Sequence, residues 1–208
     1  MRLAALSHCA HCDTPVRVAE TAASRRKEHS AGTLAGLSQP PRFQTELRVS
    51  KYDLALRDER GAFTGDAWTS VSDVGDIFGG EVLTLHRYLE VESHHLQVVA
   101  TFLAEAETDH TMVRDPERYE ARCWPVDGKR LTRLESVDLV REMLRERGFC
   151  RLEAHRDVYI HVGHDYYVYM GGNVPSEQTR LAAAQVGLFV DPQFVSPYHL
   201  NPSTGGYF

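Results

Sequence analysis

No apolar stretch in this sequence approaches the roughly 18 residues that a membrane-crossing helix needs. The opening MRLAAL is too short for the apolar heart of a secretory signal, and His8, Cys9, His11 and Cys12 interrupt it at once. These absences set the expectation of a cytoplasmic protein with no membrane partner. Cysteine is scarce, with four in 208 residues. Cys9 and Cys12 lie close together, whereas Cys123 and Cys150 are isolated, so no secreted disulfide framework is spelled out and the latter two read as free, buried thiols. Catalytic signatures are missing too. There is no GxSxG elbow, no HExxH and no glycine-rich phosphate loop, and Gly171-Gly172 lacks the further glycines of a dinucleotide fingerprint. No internal repeat occurs.

What is present is an ordinary soluble composition, 42% hydrophobic and 25% charged, in a length suited to one core of moderate size. Charge is unevenly placed. Residues 1–50 hold seven Lys or Arg against four Asp or Glu, while residues 51–208 hold 16 against 25. An acidic body repels a phosphate backbone, which argues against nucleic acid, and suits a basic protein partner.

Residues 1–44 read as a weakly organised arm or tail. They are rich in Ser, Ala and Gly, carry a basic cluster and end at Pro40-Pro41. Residues 45–208 read as a single α+β domain, a mostly antiparallel sheet of three to five strands with two or three helices packed on one face. Leu47 and Val49 alternate like a strand. Thr84 caps a long helix to Glu105, whose stripe is expected to be Leu85, Leu89, Leu96, Val99 and Leu103. A strand broken by Pro116 follows. A second helix is expected from Ser136, as its cap, to Arg147, ended by Gly148, and a third from Ser176 to Gln185, ended by Gly187. The stretch Phe149 to Ala154 reads as a strand, and VYIHVGHDYYVYMGG (158–172) as an antiparallel hairpin broken at Gly163, His164 and Asp165. LFVD adds a short strand, and 193–208 a non-regular wrap.

Three constellations bear on chemistry. Cys9 and Cys12, with His8 and His11, have zinc-like spacing, but no second ligand pair follows, so no metal and no cofactor is expected. The loop acids Asp53, Asp58, Glu59, Asp66, Asp73 and Asp76 lack the alternation of an EF-hand and sit among Arg57 and Arg60, which points to a solvated loop with internal ion pairs. A short helical turn is expected within 72–78, capped by Ser72 or Asp73. His161, His164 and Asp165 at the hairpin form the one candidate acid–base group, without a nucleophile beside it.

Lys51-Tyr52-Asp53, Arg57-Asp58-Glu59, Gly61 and Trp68-Thr69-Ser70, with the later YVYMGG, resemble a family of small bacterial proteins of unassigned activity. The resemblance spans residues 45 to 195 and implies a single cytoplasmic domain; it lends no residue a catalytic role. The favoured expectation is a non-enzymatic protein-binding domain, such as an immunity- or antitoxin-like inhibitor of a basic partner. Trp68, Tyr167 and Tyr169 are its expected exposed anchors, and Asp58, Asp66 and Asp165 its charged rim. The alternatives are a small hydrolase or transferase using His161, His164 and Asp165, and a structural subunit of a larger assembly.

Overall fold

Alternation of apolar residues builds a sheet, and its order is β5-β4-β6-β7-β8-β1-β9 with every pairing antiparallel. The computed structural model describes residues 43–59, 62–119 and 123–191. The strands are β1 (Thr45–Ser50), β4 (His110–Arg118), β5 (Arg130–Thr132), β6 (Gly148–Glu153), β7 (Tyr159–Val162), β8 (Val168–Gly172) and β9 (Phe189–Asp191), while β2 (Ile77–Phe78) and β3 (Glu81–Val82) form a separate hairpin. The helices are α1 (Leu85–Glu105), α2 (Arg133–Leu144) and α3 (Glu177–Gln185).

An α+β architecture with three helices is therefore present, but the main sheet has seven strands rather than three to five. β5, three residues at one edge of the sheet, is too short to show a period; β9, at the other edge, is the short strand expected at LFVD, here paired with β1. β4 is not broken at Pro116. It passes through a bulge between Arg114 and Glu117, where Asp115 takes a left-handed backbone (φ 49°) and a proline costs no ladder bond.

Alternate strand residues Leu47, Val49, Val113, Cys150, Leu152, Ile160, Val162, Val168 and Met170 join α1, α2 and α3 in one apolar cluster. α1 supplies Tyr88, Val91, Leu96, Val98, Val99, Phe102 and Leu103. Leu96, Val99 and Leu103 are buried as the periodicity implies, but Leu85 and Leu89 are 56% and 38% exposed. The buried stripe begins at Tyr88 and continues through Glu92 and His95, two polar residues that an apolar period cannot register.

Helix ends follow their chemistry. Thr84 caps α1 by accepting from the Arg87 N–H. α2 starts three residues earlier than Ser136 because Thr132 and Glu135 form a capping box; Ser136 is instead buried, donating to the Thr132 carbonyl at 2.7 Å. Gly148 does not end this helix. It opens β6, where any Cβ would lie 2.6 Å from the Glu117 carbonyl oxygen. Ser176 precedes α3 without a side-chain cap. The Glu105 carboxylate, at the end of α1, accepts from Gln178 N, Thr179 N and Thr179 Oγ1 at 2.6–3.0 Å. Cys150 is a free, buried thiol, with burial pushing its pKa up to about 12, whereas Cys123 is exposed and disulfide-bonded rather than free and buried as expected. The arm of residues 1–42, with Cys9 and Cys12, and the terminal wrap from 192 lie outside the described residues. No helix among the described residues is long and apolar enough to cross a membrane.

Candidate functional site

The segment between β1 and α1 is where polar and apolar chemistry converge. From Asp53 to Thr84 it contains seven acidic and two basic residues, and hydrogen bonds to the backbone order its described residues. Asp53 accepts from Ala55 N, Asp58 from Ala62 N, and Asp66 from Gly79 N at 2.8–2.9 Å. Asp73 accepts from Thr69 N and Ser70 N and closes a capping box over the 3-10 turn Val71–Asp73, whose cap is Ser70, two or three residues before the expected positions. These carboxylates fold the loop by satisfying N–H groups. Arg57 is drawn off to Asp191, which Arg48 also binds.

Beyond Asp73 the chain makes the β2–β3 hairpin. Gly79 and Gly80 both take left-handed backbone (φ 57° and 84°), the conformation a two-residue turn of matching twist requires. Leu83 N bonds back to Asp76 O at 2.8 Å and Gly75 N to Leu83 O at 2.9 Å. Phe78 packs against the core, and the cross-strand pair Ile77 and Val82 points away from it, 66% and 55% exposed. Leu85 and Leu89 extend the apolar surface along α1, and Asp66, Asp76 and Glu81 are exposed near it. The sequence expectations include no hairpin here, although IFGGEV carries the Gly-Gly turn signal between apolar residues.

Beneath the loop lies an aromatic cluster. The Trp68 ring meets Tyr88 at 5.4 Å and Tyr166 at 5.0 Å, and Tyr166 meets His95 edge-on at 5.1 Å. Tyr52 donates its hydroxyl to the Asp165 carbonyl at 2.7 Å. His95 Nδ1 lies 2.9 Å from the Val91 carbonyl, which only accepts, so Nδ1 carries the proton and Nε2 is a buried acceptor without a hydrogen bond. Burial lowers the His95 pKa to about 4 despite that bond. The Tyr166 hydroxyl is likewise buried without a hydrogen-bond partner, on a left-handed backbone (φ 65°) that side chains of its size rarely adopt. Glu92, 3% exposed, receives Arg145 through two bonds of 2.6 and 2.7 Å and ties α1 to the end of α2.

No protein family, curated protein or solved structure matches this chain.

The residues singled out in the sequence fall in different places. Trp68 is buried at 7% exposure and Tyr169 at 9%, so neither is an exposed anchor; Tyr167 is half-buried, with Arg48 4.9 Å from its ring centroid. Each ring has an aromatic neighbour to pack against, which satisfies it without a partner. Asp58, Asp66 and Asp165 are exposed. His161 is buried, its ring stacked on Tyr169 at 4.7 Å with Tyr159 beyond at 6.3 Å, and burial lowers its pKa to about 4. Asp165 sits in the turn His164–Tyr166 with left-handed backbone, and the side chain of His164 lies outside the described residues. His161 and Asp165 thus occupy a buried and an exposed environment respectively. Among the described residues no His, Cys, Asp or Glu cluster is placed to hold a metal ion. A shallow, open depression of about 390 Å³ lies at the β5–β4–β6 side of the sheet, where its lining residues Arg114 and Glu153 pair.

Proposed function

We propose that this chain is a non-enzymatic protein-binding domain, immunity- or antitoxin-like, that engages a basic protein through the β2–β3 hairpin and the first turns of α1. The observation that carries the reading is the outward pair Ile77 and Val82, held in register by antiparallel pairing within an acidic segment of the chain. An exposed apolar pair on a two-residue hairpin has no core to serve, and a partner surface would remove it from water. The surrounding carboxylates steer a cationic partner and set the association rate, while the apolar centre sets the lifetime of the complex. Asp66, whose carboxylate accepts from Gly79 N in the turn of the hairpin, keeps the rim role expected of it. The anchoring role passes from Trp68, Tyr167 and Tyr169 to Ile77, Val82 and Leu85.

The test is affinity capture from the source cell with two baits, the native chain and an Ile77→Asp/Val82→Asp variant, followed by calorimetry with the captured protein. The native bait retains a basic protein that the variant loses, with affinity falling at least tenfold and association slowing as salt rises. No specific partner, or one held equally by both baits, overturns the reading.

A further inference from the structure

The three helices pack on one face of the sheet. Strand alternation sends Ile160, Val162, Val168 and Met170 to them and turns Arg48, Tyr159, His161 and Tyr169 to the opposite face. That second face is nonetheless interior. Tyr159 is 0% exposed and His161 2%, and Phe43, just before β1, is 3% exposed. Their ring neighbours among the described residues lie on the same face: Phe43 meets Tyr159 at 5.3 Å, and Tyr159, His161 and Tyr169 stand stacked in a row. A stacked row covers ring faces and leaves the outer ring edges bare. Edges buried within a single chain require a further layer from that same chain. A polar observation at the β9 edge agrees. Arg57 reaches Asp191, the last residue of β9, through Nη1, while its Nε and Nη2 are buried without a hydrogen bond. Those two groups form the side of the guanidinium that takes a pair of acceptors.

We propose that the second face of the sheet is the docking surface for the chain's own residues 192–208, which cross it from β9 towards β7. Reach permits this. The segment follows Asp191 directly, and β7 lies three strands from β9, about 14 Å away. Seventeen residues can extend to roughly 55 Å. Composition selects it. PQFVSPYHLNPSTGGYF has no Asp, Glu, Lys or Arg and carries Phe194, Tyr198, Tyr207 and Phe208. Aromatic rings pack well edge-to-face against a row of ring edges. Residues 1–42, by contrast, contain no Phe, Tyr or Trp. Pro192, Pro197 and Pro202 lack the N–H that a strand ladder needs, so the segment's carbonyls take donors from elsewhere. The unused side of Arg57 supplies two. The inference goes beyond the binding role and does not depend on it, because the hairpin of Ile77 and Val82 takes no part.

Tyr198→p-benzoylphenylalanine in the full chain puts a photoreactive ring in the middle of the segment. Irradiating a mixture of light- and heavy-isotope chains and mapping the peptides should link position 198 to β1, β7 or β8 of the same chain. Links to α1, α2 or α3, to residues 1–42 or between two chains, or no link at all, overturn the proposal. A chain shortened after Asp191 gives an independent readout. Hydroxyl-radical labelling of Tyr159 and Tyr169 should rise several-fold there, while Tyr88, buried on the helix face, stays protected and reports that the fold survives. Unchanged labelling of Tyr159 and Tyr169 would also sink the docking. If Tyr88 becomes labelled as well, the shortened chain has lost its fold, and the cross-link in the full chain decides.

Discussion

At the scale of single residues, burial decides which side chains matter. Leu103 is fully buried and Leu85 is 56% exposed, although both are leucines on one helix. Leu103→Ala should therefore cost about 2–5 kcal/mol through lost transfer and the cavity left behind. Leu85→Ala should stay within about 0.5 kcal/mol. Urea unfolding of the two variants checks the phase of α1, and equal effects would refute it. His95 makes a pH-dependent prediction. Its folded pKa is lowered to about 4 by burial, below the usual histidine value, so the unfolded chain binds the extra proton first. Stability from this residue is full above pH 6.5 and is lost as pH falls towards 4, by about 3 kcal/mol. His95→Gln, which does not titrate, should flatten that part of the stability profile; an unchanged slope between pH 6.5 and 4 would contradict the assignment. The burial of Leu103 follows from the helical period, but the environments of His95 and Glu92 were not legible in the sequence, because both residues break that apolar period.

At the scale of elements, the chain reads well where an element carries its own signal and poorly where a neighbour supplies it. α1 declared itself by its length, its period and Thr84. The 158–172 hairpin declared itself by alternation, and its turn, Gly163 to Tyr167, closes through a 2.8 Å bond from Gly163 N to Tyr167 O. β5 and β9 exist because β4 and β1 offer them partners, and β4 survives Pro116 only through its bulge. The N-terminus of α3 is the clearest borrowed feature, since its cap is the carboxylate of Glu105, 72 positions before the helix starts. Burial alone would raise that carboxyl, but the Thr179 hydroxyl and the backbone N–H groups of residues 178 and 179 outweigh it and hold it below the usual range. Glu105→Ala should cost about 1–2 kcal/mol, as loss of a charged cap does. Hydrogen exchange should show the loss concentrated in α3. Uniform loosening of the sheet, with α3 unaffected, would contradict the role.

At the scale of the whole molecule, a seven-stranded antiparallel sheet carries α1, α2 and α3 and holds one loop rigidly at its end. The acidity seen in the sequence is concentrated in that loop, and much of it folds the backbone as well as charging the surface. The aromatic residues that suggested an interface belong to the interior; the apolar groups left outside, Ile77, Val82 and Leu85, belong to a hairpin and a helix start. That exchange of roles is the central claim, and a hydrogen-exchange footprint tests it most directly. The chain is labelled alone and in complex with the protein captured by the native bait. Protection gained across residues 75–89, with the 158–172 hairpin unchanged, is the result predicted; protection at the 158–172 hairpin or along β4 and β5, with residues 75–89 exchanging as in the free chain, would contradict it.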